Sequence, residues 1–78
     1  MKPQSDFPSR LRLLIKELGT SQKRLSLITG VPEASLSRYV AGTVIPTSTV
    51  VIKIAETTGV DIGWLLGFGS DEEIERTN

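Results

Sequence analysis

The 78-residue sequence predicts an all-α domain of five short helices. Three observations carry that expectation. Apolar residues recur at helical spacing in successive windows, alternation of apolar and polar residues never runs long enough for a strand, and Gly, Pro or a hydroxyl residue punctuates every window. Hydrophobic residues are 38% of the chain and, with its 7 glycines, about 47%, the composition of an ordinary globular chain rather than a disordered one.

Taken in order, Pro8 and Ser9 open the first helix with Ser9 as N-cap, so residues 1–8 read as an N-terminal arm. Leu11, Leu14, Ile15 and Leu18 fall at i, i+3, i+4 and i+7 as its core stripe, and Gly19 ends it. Ser21 caps a second helix over 22–29, with Leu25 and Ile28 inward and Gly30 as terminator. Pro32 is a first-turn proline of a third helix, in which Leu36, Tyr39 and Val40 share the inward side before Gly42. Residues 43–46 form a loop. Thr47 or Ser48 caps a fourth helix with Val51, Ile54, Ala55 and Thr58 at helical spacing, stopped by Gly59. Asp61 caps a short fifth helix holding Ile62, Trp64, Leu65 and Leu66, with Gly67 after it. Trp64 is expected in the core of that helix rather than as a platform for a stacked base. The domain is thus expected over 9–68, and residues 69–78, with Ile74 as the single aliphatic, read as an acidic tail or linker.

With no Cys and no His, the chain has no means for disulfide scaffolds, zinc fingers, thiol nucleophiles, histidine bases or haem ligation. No paired carboxylates or Ser–Lys arrangement can be argued from spacing, so the expectation is a non-enzyme without cofactor. Asp71, Glu72, Glu73 and Glu75 lack a Gly-centred loop and read as a solvated tail before a metal site. No apolar run approaches a membrane span and the first eight residues lack a signal-peptide core, which makes the expected location cytoplasmic. Net charge is zero, yet it is divided unevenly. Residues 1–60 carry eight bases against four acids, and residues 61–78 carry five acids against one base. A basic body with an acidic tail suits a polyanionic partner.

Two short helices around a tight glycine turn, 22–29 and 32–41, have the form of a helix-turn-helix. Counting from Gln22, the fifth residue is Ser26, small enough for the helices to approach, and the ninth is Gly30 at the turn. Leu25, Val31, Leu36 and Tyr39 stand where inward packing requires apolar side chains. On the stretches SQKRLSLITGVPEASLSRYVAG and IPTSTVVIKIAETTGVDIGWLLG the sequence resembles the lambda-repressor-like helix-turn-helix family of the Cro and Xre type, over about residues 9–67.

The resemblance implies a five-helix DNA-binding domain whose second helix rests its N-terminus on the DNA backbone and whose third enters the major groove. Gln22 then matches the family's phosphate-touching glutamine, with Ser21, Lys23, Thr43 and Ser48 as further phosphate contacts. Gln22 also reads simply as an exposed first-turn residue. Base contacts fall to Glu33, Ala34, Ser35, Ser37 and Arg38, on or beside the outward side of the third helix. That side, which also carries Ala41, has the plain alternative of a solvated face. For Glu33 two readings stay open, acceptance from cytosine N4 or a favourable place at the helix N-terminus. Arg38 pairs with guanine or else with a phosphate.

The sequence departs from the family at several points. An Arg seven residues before the glutamine and a Glu two before the closing glycine commonly form an ion pair, and here these are Ile15 and Val40. An apolar contact is expected to replace the pair. The usually basic loop reads Thr43-Val44-Ile45, and Pro32 replaces a capping hydroxyl residue. The functional expectation is a sequence-specific, double-stranded DNA-binding transcriptional regulator, a phage- or prophage-type repressor or its N-terminal domain. It would act as a homodimer on a palindromic operator, with Ile62 and Leu65 as dimer contacts and a further C-terminal domain possible in a longer native protein. The rivals are a small antitoxin or controller protein, and a helix-turn-helix used for protein–protein contact.

Overall fold

The computed structural model describes residues 7–68, and five helices follow one another through them: α1 Phe7–Glu17, α2 Gln22–Thr29, α3 Glu33–Ala41, α4 Ser48–Thr58 and α5 Ile62–Leu65. The all-α expectation holds, and all five expected helices are present. The acidic tail expected over 69–78, including Ile74, lies outside the described residues, as do residues 1–6.

Local chemistry accounts for most of the boundaries. The Ser21 hydroxyl accepts the Arg24 N–H at 3.1 Å, Thr47 Oγ1 accepts the Val50 N–H at 3.4 Å, and Asp61 Oδ2 accepts the Trp64 N–H at 3.0 Å. Each satisfies one of the donors that a helix start leaves without a partner. Thr47, rather than Ser48, is therefore the cap of α4. At the other ends, Gly30 and Gly42 take φ of 80° and 78°, a left-handed conformation that a side chain disfavours. A Cβ at Gly42 would stand 3.5 Å from Pro8 Cγ, an ordinary contact, so the backbone conformation and not lack of space is what favours glycine there.

Helix α1 packs against α3 and α5, α2 against α3 and α4, and α4 against α5. Between them lies one core containing Leu11, Leu14, Leu25, Leu36, Ile54 and Trp64. Ile15, Leu18 and Val40 are half-buried against it, so the positions that resemble a family ion pair are occupied here by apolar side chains on the core margin.

Three expectations are corrected. Helix α1 begins at Phe7, two residues before Ser9, so Phe7 and Pro8 belong to the helix and not to an arm. Phe7 is buried and meets the Tyr39 ring edge-on at a centroid distance of 6.1 Å, and Pro8 is tolerated because a first-turn N–H has no helical acceptor to lose. Ile28 points outward and is 53% exposed, while Thr29 is buried in its place. Thr29 Oγ1 donates to the Leu25 carbonyl at 2.7 Å and accepts the Val31 N–H at 3.1 Å, which satisfies the hydroxyl and ties the turn. Leu65 is wholly buried in the chain's own core, so a dimer contact through its side chain is ruled out in this fold. Ile62 keeps 38% of its surface exposed.

Candidate nucleic-acid interface

Helix α3 is held from within by Leu36 and Tyr39, both buried, and its remaining residues are arranged by the 3.6-residue period. Glu33, Ala34, Ser37, Arg38 and Ala41 are exposed, and Ser35 is half-buried at the margin. These positions form one outward strip of small or polar side chains, with Arg38 as its long cation. The Arg38 guanidinium makes no hydrogen bond or ion pair among the described residues, leaving its donor fork free for an external acceptor. Its main chain is fixed: the Arg38 carbonyl accepts Thr43 N–H at 3.0 Å and Thr43 Oγ1 at 3.3 Å.

The residues expected on phosphates occupy three element ends. Ser21 is the N-cap of α2, Gln22 is its first residue and half-buried, and Lys23 is exposed beside it. The N–H groups at this helix start give the surroundings of Gln22 a partial positive charge. Thr43 lies just beyond the Gly42 C-cap of α3, where its side chain already bonds the Arg38 carbonyl, and Ser48 is the exposed first residue of α4. Helix α2 is packed on α3, which brings the Gln22 group and the α3 strip into one helix-turn-helix unit. Ser48 stands elsewhere: it lines an apolar groove with Ile45, Val51, Ile52 and Ile62.

Sequence reasoning passed over Arg10, which the structure places 2% exposed. Its Nη1 donates to the Trp64 carbonyl at 2.6 Å and the Phe68 carbonyl at 3.2 Å, its Nη2 to the Gly67 carbonyl at 3.4 Å, and its guanidinium lies 5.0 Å from the Trp64 ring centre. A signal existed in the sequence: Phe7, Arg10 and Leu14 share one helical face, so the arginine interrupts a core stripe. Among the described residues, no cluster of three or more Asp, Glu, His or Cys could hold a metal, and no helix is long and apolar enough to cross a membrane.

A capped helix braced by a second helix across a glycine turn, with an uncommitted outward strip, defines the helix-turn-helix class. The helix-turn-helix family model matches residues 11–65, and the chain belongs to that family, of the Cro type. A curated protein of Haemophilus influenzae, described as an uncharacterized HTH-type transcriptional regulator, is 36% identical over 62 residues. That match spans 80% of this chain and 26% of the relative, so the chain corresponds to about a quarter of the relative's length. No solved structure gives a significant match.

Proposed function

We propose that the protein is a sequence-specific regulator of transcription that binds double-stranded DNA through α3, and that it is a phage- or prophage-type repressor domain. The observation that carries this reading is the exposed strip of Glu33, Ala34, Ser37, Arg38 and Ala41 on a helix whose other side is fixed in the core. Small side chains let the helix approach base edges closely, and the free guanidinium of Arg38 matches the O6 and N7 of guanine. Ser21, Gln22 and Lys23 hold the phosphate backbone at the start of α2, and Thr43 adds a contact after α3. No catalytic step or cofactor is needed for this activity, and occlusion of a promoter is sufficient for repression.

The protein acts as a homodimer on a two-fold operator. Support comes from the groove beside Ile62, where Ile45 is 69% and Ile52 is 42% exposed. A second copy covers these isoleucines and sets two α3 helices about one helical turn, roughly 34 Å, apart. Selection of bound duplexes from a random library tests the whole reading: a pseudo-palindrome with that spacing is expected, and enrichment of no sequence overturns it. Ile62→Asp is expected to abolish the dyad while leaving the helical content intact.

A second reading, contact with another protein, is favoured by Leu27 and Ile28, which stand 76% and 53% exposed on α2. Salt separates the two, because phosphate-driven binding weakens steeply as ionic strength rises.

A further inference from the structure

We infer that Arg12 is the positioning residue of the reading helix, tying the carbonyl end of α3 to α1; the inference rests on α3 being the element that meets DNA. Arg12 stands on α1, yet its Nη1 donates at 2.5 Å to the main-chain carbonyl of Val40, the next-to-last residue of α3. Its Nη2 donates to Ser9 Oγ at 3.2 Å, one turn back on α1, which holds the guanidinium in place. The last four carbonyls of a helix have no acceptor role within it. In α3 the Arg38 and Tyr39 carbonyls are met locally, by Thr43 and Gly42. Val40 is met from across the interface, by a cation that also complements the negative end of the helix.

The contact has a consequence for specificity. Ile15 on α1 and Val40 on α3 are half-buried against the common core, and such apolar packing is attractive but has no preferred direction. A charge-assisted hydrogen bond is directional and fixes both the reach and the rotation of the helix end. Arg38 lies two residues before Val40. Loss of the tie lets that end rock and misplaces Arg38 without removing any DNA-facing group. Since the acceptor is main chain, the tie also does not depend on which side chain occupies position 40.

Arg12→Met, which keeps the aliphatic stem, and Arg12→Lys, which keeps one donor, test this in the full 78-residue chain. Without DNA, amide hydrogen exchange at Gly42 and Thr43 is expected to quicken about threefold or more in Arg12→Met, with the core amides of Leu25 and Ile54 unchanged. On a selected duplex, Arg12→Met is expected to bind about fivefold more weakly, the size of one hydrogen bond at the surface. Its salt dependence should match the wild type, and Arg12→Lys should recover most of the loss. Unchanged exchange at Gly42 and Thr43 overturns the proposal, as does a salt slope shallower by about 1, which would make Arg12 a phosphate contact. Failure of Arg12→Lys to recover either readout overturns it as well. If the wild type selects no DNA, the reading of α3 fails while the exchange measurement still decides whether Arg12 holds the helix.

Discussion

The Arg10 guanidinium lies 5.0 Å from the centre of the Trp64 ring while donating to the carbonyl of the same residue at 2.6 Å, so one side chain of α1 fastens α5 by both its ring and its main chain. The arrangement explains how a buried cation is tolerated in so small a core. Carbonyl dipoles of Trp64, Gly67 and Phe68 face it, and the ring supplies its negative face.

Arg10→Met is accordingly expected to cost about 2–4 kcal/mol, since it leaves those carbonyls without their donor. Arg10→Lys should recover only part, because an ammonium has no planar fork with which to reach several carbonyls together. Urea unfolding followed by Trp64 fluorescence measures both, and an unchanged midpoint for Arg10→Met contradicts the buried role.

Phe7 closes the core from the start of α1, and Phe7→Ala should destabilise by about 3–4 kcal/mol. A chain beginning at Ser9 should lose as much. Thermal unfolding of the shortened chain at the wild-type midpoint would restore the boundary expected from sequence.

Val40 is half-buried rather than fully enclosed, which lowers the expected cost of Val40→Glu to about 1–2 kcal/mol. Adding Ile15→Arg should recover much of it by rebuilding an ion pair between α1 and α3. A double-mutant cycle reads this directly, and a coupling below about 0.3 kcal/mol would mean that the two positions do not meet.

Arg38→Ala should weaken binding to a selected operator by about 1–3 kcal/mol and relax preference at one base pair per half-site. Gln22→Ala should weaken operator and random duplex alike. Equal loss on both duplexes for Arg38→Ala reassigns it to a phosphate.

Much of this molecule was legible in the sequence. Helical spacing, together with Ser21, Asp61 and the glycines, located α2 at both ends and α5 at its start, because caps and turns are satisfied by groups a few positions away; α5 closes one residue earlier than expected, with Leu66 as its C-cap. The same period separated Leu36 and Tyr39 from Arg38 and Ser37, and so placed the outward strip of α3. Tertiary structure decided what local pattern cannot encode. Arg10 and Arg12 are two residues apart on one helix, yet the first is buried under Trp64 and the second is exposed at the end of α3. Phe7 enters the core through Tyr39, and Thr29 displaces Ile28 because its hydroxyl finds partners in the turn. Leu65 turns inward and leaves Ile62 to the surface. In each case the outcome depends on acceptors and apolar surface supplied by residues distant in the chain or by the geometry of a turn, and the free energy of burial is fixed only once those neighbours are in place.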